Sequence, residues 1–467
     1  MKSYLSLDTK AKLKQLELLP PHIHFIGIGG IGMSSLAEYL SKKYVISGSD
    51  LNINNKIKYL EKIGIKIFNH HTKKNINDQD LIIYTSAINK NNEELVEAKR
   101  KKIKVINRGK ALGEFTKEKN NISIAGTHGK SSTTSFISQI LLEAGKKFTA
   151  FLGARDLKIK SNFKYSKSNI NVMEVDESDN SFNYINSYLS IVTNIDNDHM
   201  EFYKNKQNLL KAFDIFISKT KSNVILNADC KNIKKHFRNL KKGVYFSNIN
   251  KNYDYYFNLS NGKYELYFKN KLIIKSKSKL LGKFNFYNLT AAIITCINLG
   301  VSVRKIQNNI NKIKPPERRF EYILKNKKIE IIDDYAHHPN AIKEIRNLLN
   351  NIKDEKKNYL IFQPHRFSRF KKHYKAFVKE ISEWENVILV DVYSAFEKNK
   401  INQNLENFIT DVKKLSNINI IYEPDFHNVI EKMLNLISNK NKFYRIITMG
   451  AGNIRKISLE LKKSLNF

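Results

Sequence analysis

The sequence contains one short loop whose residue types suit the binding of phosphate. Residues 126–131 read GTHGKS and lie between an apolar run and an amphipathic segment. In such a loop backbone N–H groups surround phosphate oxygens, the lysine neutralises the β and γ oxygens, and the hydroxyl after it ligates Mg²⁺. Ile124 occupies the position of the first glycine in the full G-x-x-x-x-G-K-[ST] pattern. The residues predicted to hold a nucleoside triphosphate are Gly126, Thr127, His128, Gly129, Lys130, Ser131 and Ser132.

A second glycine-rich loop, GIGGIG at residues 27–32, follows the apolar run HIHFI. Its Gly27, Gly29 and Gly32 match G-x-G-x-x-G, in which glycines let the backbone approach a pyrophosphate at the N-terminus of a helix. Asp50 ends the next apolar run about 20 residues further on, where an acidic residue meets a ribose hydroxyl. The loop by itself predicts a dinucleotide or nucleotide-sugar site, and a tight turn that binds nothing is the alternative.

Acidic side chains follow two later apolar runs, in MEVDESDNSF and TNIDNDH. The carboxyl ends of strands in an open parallel sheet form its ligand-binding edge, and oxygen atoms there suit Mg²⁺. For each acid, helix capping or solvation in a loop is the alternative interpretation. The candidate residues are Glu174, Asp176, Glu177, Asp179, Asp196, Asp198 and His199.

The C-terminal third adds two polar motifs, DDYAHHP at 333–339 and QPHRFSR at 363–369. The adjacent histidines could indicate zinc, but no further Cys or His lies at structural-zinc spacing. We therefore expect these motifs to bind phosphate or carboxylate. Arg366 and Arg369 are three residues apart, a spacing that puts both on one face of a helix, from which they would clamp an anion.

The elements that position these motifs follow an α/β pattern. Short β-branched runs alternate with longer helical patterns along the whole chain, which indicates mostly parallel sheets. A helix is predicted at 31–42, and the short alternating steps at 243–281 are typical of hairpins. Strands are predicted within 22–30, 44–50, 80–88, 104–107, 122–125, 170–175, 189–195, 223–229, 329–335, 359–364, 386–393, 418–424 and 443–452.

Three α/β domains account for this pattern, with predicted boundaries at 1–120, 121–315 and 316–467. The charged, glycine-punctuated segment 108–121 is interpreted as the first linker. The segment KIKPPERRF at 312–320 contains a Pro-Pro pair, which predicts a hinge before the third domain.

Composition narrows the class of protein. The chain has 467 residues, of which 41% are hydrophobic and 27% charged, a globular composition. No apolar run approaches the ~18 residues of a membrane-spanning helix, and the N-terminal stretch carries charge where a secretion signal is apolar. Cys230 and Cys296 cannot form a disulfide framework or a structural zinc site. We expect a cytoplasmic protein with no membrane partner.

The formal net charge of +37 raises a nucleic-acid hypothesis. Lysine is spread along the chain beside an equally wide excess of Asn and Ile, whereas nucleic-acid binders concentrate positive charge in one stripe or tail. A compositional bias towards Lys, Asn and Ile explains the charge better. We expect no nucleic-acid partner and keep a basic, nucleic-acid-binding ATPase as the alternative from another class.

Taken together, the motifs resemble those of the Mur ligase family. The resemblance runs from about His24 to Ile454, in the order IGGIGMS, AGTHGKSSTT, EVDESDNSF, TNIDNDHM, RRFE, DDYAHHP, QPHRFSR, DVYSAFE and MGAGNI. It implies a Rossmann-like N-terminal domain for a UDP-sugar, a P-loop ATPase domain in the middle, and a Rossmann-like C-terminal ligase domain.

The resemblance also implies a role for individual residues. The UDP-sugar is assigned to Gly27, Gly29, Gly30, Gly32, Asp50, His71 and Ser86. Mg²⁺ is assigned to Ser131, Glu174 and His199, and ATP, beyond its loop, to Asn285, Asn288, Arg319, Asp334 and Tyr335. Catalytic roles are assigned to Lys130, His337, Arg366 and Arg369. The chain departs from the usual family pattern at His70, the Arg108-Gly109-Lys110 segment, Phe284, Ala336 and Phe396.

The implied activity is a ligation that consumes ATP in peptidoglycan precursor synthesis. The lactyl carboxylate of UDP-N-acetylmuramate would be phosphorylated by ATP with Mg²⁺, and the amine of L-alanine would then attack the acyl phosphate. A family member that adds a recycled tripeptide to the same UDP-sugar is the alternative, and GIGGIGMSS reads closer to the alanine enzyme. The expected partners are these small molecules, in a monomer or a homodimer.

Overall fold

The computed structural model describes residues 20–177, 179–196, 200–260, 262–395, 397, 405–438 and 442–465. The chain divides into two compact units, Met1–Lys314 and Pro315–Phe467. The first unit contains two sheets and the second contains one. The division falls inside the segment that carries the Pro-Pro pair. In the described part of the chain no helix has the length and apolar character needed to cross a bilayer.

A parallel sheet forms the core of the N-terminal part. Its strands are β1 (His22–Ile26), β2 (Val45–Ser49), β3 (Lys66–Phe68), β4 (Leu81–Tyr84) and β5 (Lys104–Asn107). Its helices are α1 (Ile31–Leu40), α2 (Asn55–Lys62), α3 (Glu93–Arg100) and α4 (Arg108–Thr116), with a 3₁₀ turn at Lys73–Asn75. The strand order is β3-β2-β1-β4-β5. Because β1 is central and covered on both faces, its residues are almost all buried.

The prediction of a linker at 108–121 is wrong. Residues Arg108–Thr116 form α4, a nine-residue helix, and the next strand already begins at Asn120. Asn107 caps the helix by accepting a hydrogen bond from the N–H of Lys110 at 2.8 Å. The glycines that suggested a linker serve close packing instead, because a Cβ on Gly113 would lie 2.3 Å from the carbonyl oxygen of Tyr184.

The middle sheet is larger and mixed. Its strands are β6 (Asn120–Ala125), β7 (Thr149–Asp156), β8 (Ser161–Lys164), β9 (Ile170–Glu174), β10 (Leu189–Val192), β11 (Val224–Asn227), β12 (Gly243–Ser247), β13 (Tyr255–Ser260), β14 (Lys263–Phe268) and β15 (Lys271–Lys277). They follow the order β15-β14-β13-β12-β11-β10-β6-β9-β7-β8. The predicted hairpins occur at β13, β14 and β15, which pair antiparallel, whereas β12 pairs parallel with both of its neighbours.

Helices cover the middle sheet. They are α5 (Lys130–Glu143), α6 (Met200–Tyr203), α7 (Lys206–Ser218), α8 (Lys231–His236), α9 (Lys283–Asn298) and α10 (Val303–Gln307), with 3₁₀ turns at Ser181–Asn183 and Ile310–Lys312. Helices α5 and α9 pack on each other beside the central strand β6, and apolar side chains such as Phe136, Ile137 and Ile293 are fully buried there. This packing holds the start of α5 against the sheet edge.

The third sheet lies in the second unit. Its strands are β16 (Glu321–Lys325), β17 (Ile329–Asp334), β18 (Lys357–Phe362), β19 (Asn386–Leu389), β20 (Asn419–Tyr422) and β21 (Tyr444–Met449), in the order β16-β17-β21-β18-β19-β20. Only β16 pairs antiparallel among these strands of the described chain. The helices are α11 (Pro339–Asn350), α12 (Phe367–Lys372), α13 (Tyr374–Ile381), α14 (Leu405–Leu415), α15 (Phe426–Ile437) and α16 (Arg455–Ser464).

The substitution Gly113→Ala tests the close packing of α4. Alanine favours a helix over glycine by about 1 kcal/mol, but the added Cβ would meet backbone that cannot yield easily. We expect a net loss of about 1–3 kcal/mol in the free energy of unfolding, as overpacking typically costs, measured by urea denaturation. Lys110→Ala, on the same helix, is the control and should change stability little. Equal stability of wild type and Gly113→Ala would contradict this packing.

Candidate active site

The glycine-rich loop lies at the carboxyl edge of the N-terminal sheet, between β1 and α1. Gly27 has a φ of +80°, and the N–H groups of Gly27 and Ile28 donate to the carbonyl of Ser49 at 2.8 and 3.1 Å. Asp50, predicted to meet a ribose, folds onto the loop and accepts from the N–H of Gly29 at 2.9 Å. Ser86 is exposed just beyond β4 on the same edge. The predicted UDP-sugar residues are therefore gathered at one sheet edge.

His71 belongs to a buried polar network beside this loop. Its Nδ1 lies 2.9 Å from Oε2 of Glu94, and Ser49 Oγ donates to the same oxygen at 2.6 Å. Asn75 Nδ2 donates to the other oxygen at 2.6 Å. Burial alone would raise the pKa of Glu94, but its contacts with His24, His71 and Ser49 lower it to about 2. The ionised carboxylate thus accepts a hydrogen bond from the Nδ1–H group of His71. This leaves Nε2 as the second polar atom of the ring.

The loop at residues 126–131, the phosphate-type loop, lies between β6 and α5, which is the arrangement that the sequence predicts. Gly126 and Gly129 have φ values of +132° and +83°, conformations that favour glycine. The N–H of Thr127 donates to the carbonyl of Asn194 at 3.1 Å, and that of His128 donates to the Asn194 side chain at 2.9 Å. The loop is thereby fastened to the end of β10.

Lys130 is held across this loop by an acidic partner. Its Nζ donates to the carbonyl of Gly126 at 2.7 Å and to Oε2 of Glu177 at 2.9 Å. Glu177 is only 2% exposed. Burial works to lower the pKa of Lys130, but the carboxylates of Glu177, Asp176 and Glu174 outweigh it and keep the pKa above its usual value. Lys130 is therefore a cation whose position is fixed by protein groups.

Two of the predicted metal ligands meet directly. Ser131 Oγ donates to Oε2 of Glu174 at 2.8 Å, and Glu174 is the last residue of β9. An oxygen-only pair of this kind suits Mg²⁺. The third predicted ligand, His199, lies outside the described residues. Within the described ranges, no group of three or more His, Cys, Asp or Glu side chains is arranged to hold a metal ion.

Helix α9 brings Asn285 and Asn288 towards the phosphate-type loop. A Cβ on Gly129 would lie 2.4 Å from Oδ1 of Asn288, so only glycine lets the loop approach the helix this closely. Asn285 is 1% exposed, and its Nδ2 donates to the carbonyl of Leu281 at 2.7 Å. Phe284, one of the departures from the family pattern, packs its ring against Gly282.

One cavity of about 280 Å³ is lined by residues of both the N-terminal and the middle sheet regions. At one end it is lined by Gly30, Gly32 and Ser86 from the N-terminal sheet, and at the other by Glu174 and Asp176 from the middle sheet. A ligand that lies on the first loop can therefore extend to the carboxylates beside the phosphate-type loop. Mostly acidic walls at that end require a cation to accompany any anionic ligand.

Arg108 stands in the wall of this cavity. Its Nη2 forms an ion pair with Oδ2 of Asp179, and both side chains are largely buried. Burial works to lower the pKa of Arg108, but Asp179, Asp176 and Glu174 raise it. The pair joins α4, at the end of the N-terminal sheet, to the loop after β9 in the middle sheet.

The predicted residues of the third sheet form a separate cluster. His337 Nδ1 donates to the carbonyl of Tyr335 at 2.8 Å, and Arg369 Nη1 lies 3.2 Å from Nδ1 of His365. The guanidinium of Arg319 stacks over the Tyr335 ring at 5.1 Å. Burial, followed by the charge of Arg369, holds the pKa of His337 well below its usual value. His337 is therefore neutral near pH 7.

The structure corrects the prediction for Arg366 and shows which groups bind Asp334. Arg366 is not on the same helix face as Arg369, because it precedes α12 as its N-cap with a φ of +65°. Asp334 is engaged by backbone, accepting from the N–H groups of Phe320 and Ala336 at 2.7 Å each. Burial raises the pKa of Asp334 to about 6. Phe396 lies outside the described residues.

Several residues of these sites have no individual signal in the sequence. Glu94 and Asn194 are ordinary polar residues until the fold places them against His71 and the phosphate-type loop. Glu177 is recognisable only as one acid in a cluster of four. Arg108 lies in the segment that the sequence analysis interprets as a linker, so the sequence does not indicate its place in the cavity wall.

Comparison with known proteins assigns the chain to a family. Three family models match in order: "Mur ligase family, catalytic domain" at residues 22–120, "Mur ligase middle domain" at 124–296, and "Mur ligase, glutamate ligase domain" at 318–452. This chain belongs to the Mur ligase family. The predicted three-domain α/β fold with mostly parallel sheets is confirmed. The exact boundaries and the roles of single residues stay predictions.

Similar Mur ligases span nearly the whole chain. A UDP-N-acetylmuramate–L-alanine ligase of Prochlorococcus marinus is 36% identical over 99% of this chain and 97% of its own length. One of Aquifex aeolicus is 34% identical, covering 95% and 97%. The crystal structure of the UDP-N-acetylmuramate–alanine ligase of Thermotoga maritima superposes with a TM-score of 0.81 at 25% identity, covering 95% and 99%. A murein peptide ligase of Psychrobacter arcticus, at 20% identity and a TM-score of 0.69, shares the fold.

The substitution Glu94→Gln tests the charge in the network around His71. The pKa of Glu94 is lower in the folded than in the unfolded chain, so its charge stabilises the fold above pH ~4.5 and this contribution is lost as the pH falls towards about 2. We expect Glu94→Gln to lower the free energy of unfolding by about 3 kcal/mol at pH 7 and by less at pH 4. Urea denaturation of both proteins at the two pH values measures it. A penalty that does not shrink at pH 4 would show that the charge is not responsible.

Proposed function

We propose that this Mur ligase joins L-alanine to the lactyl carboxylate of UDP-N-acetylmuramate with cleavage of ATP to ADP and phosphate, in the cytoplasm, for peptidoglycan synthesis. The observation that carries the proposal is the cavity that runs from the N-terminal glycine loop to Glu174, next to Lys130 and Ser131. The names of the relatives above, at 34–36% identity, support the choice of substrates. The tripeptide-adding alternative has weaker support, since the murein peptide ligase shares only 20% identity.

The UDP-sugar occupies the glycine-rich loop at residues 27–32. Its diphosphate lies on the N-terminus of α1, where free N–H groups and the helix dipole favour negative charge. His71 contacts the uridine part through Nε2, because Nδ1 is bound to Glu94. The muramyl part extends along the cavity, so that its lactyl carboxylate reaches the end lined by Glu174 and Asp176.

ATP occupies the phosphate-type loop, where Lys130 contacts its β- and γ-phosphates. To do so the ammonium group exchanges Glu177 for phosphate oxygens, without leaving the loop that holds it at Gly126. The lactyl carboxylate attacks the γ-phosphorus, the bond to the β-phosphate oxygen breaks, and ADP leaves. Since both reactants are anions, the cation is needed to offset their repulsion and to keep them in line.

Ser131 and Glu174 are the described residues that would hold Mg²⁺. Both present oxygen atoms, and the 2.8 Å hydrogen bond between them places those atoms side by side. A bound Mg²⁺ neutralises phosphate and carboxylate charge at this end of the cavity. The carboxylate of Glu174 is kept in place by the absence of a side chain at Gly153, whose Cβ would lie 2.0 Å from it.

The third domain acts on the amino acid. The amine of L-alanine attacks the acyl carbon, the bond to phosphate breaks, and the amine loses a proton. His337 suits this step, since it is neutral and has Nδ1 bound to the Tyr335 carbonyl, which leaves the lone pair on Nε2 to accept a hydrogen bond from the amine. Arg369 supplies a cation for the alanine carboxylate or the oxyanion.

Mass spectrometry of the reaction tests this function. With ATP, Mg²⁺, L-alanine and UDP-N-acetylmuramate present, we expect the UDP-sugar to gain one alanyl residue and ADP to form in equal amount. Omission of each component in turn is the control. Replacement of L-alanine by the tripeptide tests the alternative enzyme. No alanyl product with all components present, in a folded protein, would refute the proposal.

Lys130→Ala tests the role of the phosphate-type loop. We expect turnover to fall by about 10²-fold or more, as when one charge-stabilising group is removed from a transition state. UDP affinity should stay within twofold, because the first loop lies on another sheet. Lys146→Ala, an exposed lysine beyond the other end of α5, is the matched control and should keep full activity. Collapse of UDP affinity together with activity would contradict the separate sites.

A further inference from the structure

Arg108 lies against the glycine loop as well as against Asp179. A Cβ on Gly32 would be 3.0 Å from Nη1 of Arg108 and 3.1 Å from its Cδ, so the arginine side chain passes directly over this glycine. Gly32 is in the first turn of α1. Arg108 also lines the cavity that joins the loop to Glu174. A ligand that runs from the loop into the cavity therefore has Arg108 in the wall beside it.

The guanidinium group has two usable sides. Nη2 binds Asp179, and Nη1 lies on the side of Gly32. Arginine presents several N–H donors in one rigid plane, so it can bind a carboxylate through one edge and a phosphate through another. The ion pair is largely buried, which restricts the side chain to this orientation.

We propose that Arg108 binds the diphosphate of the UDP-sugar through the edge that faces Gly32, and that Asp179 positions it from the middle domain. The proposal rests on the proposed function, because it takes the UDP-sugar as the ligand of the first loop. The glycine loop supplies backbone N–H groups to the diphosphate, and Arg108 supplies the full positive charge that those groups lack. Helix α4 positions this charge at the site, and Asp179 of the middle domain orients the guanidinium group.

Asp179 has a definite task in this arrangement. A free arginine side chain samples many rotamers, and an incoming phosphate would have to remove that freedom. Asp179 removes that freedom in advance. It is itself held by Ser181, whose N–H donates to Oδ1 at 3.1 Å. A change at Asp179 should therefore weaken diphosphate binding although Asp179 does not touch the ligand.

Binding of UDP and of uridine, measured by calorimetry and equilibrium dialysis, tests the contact. We expect Arg108→Ala to weaken UDP binding about 10–100-fold and to leave uridine, which has no phosphate, unchanged. Arg108→Lys should recover only part of the affinity, because an ammonium group cannot bind with two edges. Lys110→Ala is the matched control, a cation on the same helix that lies 3.9 Å from Glu114, and it should bind UDP normally.

A double-mutant cycle tests the positioning role. Asp179→Asn should weaken UDP binding several-fold in the wild-type background and have no effect in the Arg108→Ala background, since there is then nothing to position. A purely structural role for Asp179 would lower UDP and uridine affinity alike in both backgrounds. If Arg108→Ala does not fold, Arg108→Lys and Asp179→Asn still provide the comparison between UDP and uridine.

The outcomes separate this proposal from the proposed function. Wild-type protein that binds UDP, with Arg108→Ala or Arg108→Lys binding it equally well, would overturn the role of Arg108 and leave the ligase function standing. Wild-type protein that binds no UDP would overturn both. Equal losses for UDP and uridine in the Arg108 variants would overturn the diphosphate contact and return Arg108 to a structural role.

Discussion

Acidic side chains fix the orientation of two cations in this enzyme. Lys130 is held by Glu177, and Arg108 is held by Asp179, in both cases with little exposure to water. A buried cation without a counter-charge costs several kcal/mol, so each cation needs its partner for the fold to be stable. In the proposed function, the same partners also orient the cations for binding phosphate groups. Stability of the fold and the proposed binding of anions therefore depend on the same ion pairs.

Close approach at three glycines brings together the elements that carry these groups. Gly129 lets the phosphate-type loop touch Asn288 on α9, and Gly153 leaves room for the carboxylate of Glu174. Gly113 lets α4 rest on the loop around Tyr184, which brings the N-terminal and middle sheets together within one compact unit. Larger residues at these positions would push apart the elements that carry the charged groups, and the cavity would lose its continuous wall.

Much of the fold could be predicted from the order of apolar runs and glycine loops. Parallel strands covered on both faces are continuous apolar segments, and β5, for example, lies where the sequence places it. The segment 108–121 was harder, because glycine and charge are typical of linkers but also of helices packed tightly at one face. β3, β8 and β16 were not predicted, since a short edge strand buries too little to leave a pattern. The eight-residue strand β7, which lies between β9 and β8, was not predicted either. Arg366 was placed on a helix that begins one residue later.

The sequence by itself determined the kinds of chemistry available: two glycine loops, a lysine followed by serine, acids after strands, and histidines with arginines near the C-terminus. These follow from local rules, because a loop of that composition between strand and helix needs no distant partner to be recognised. Only the tertiary structure decided that Glu177 faces Lys130 and that Asp179 faces Arg108, 71 positions away along the chain. Long-range ion pairs depend on how separate sheets pack, and an acidic residue has the same local pattern whether it meets a cation or water.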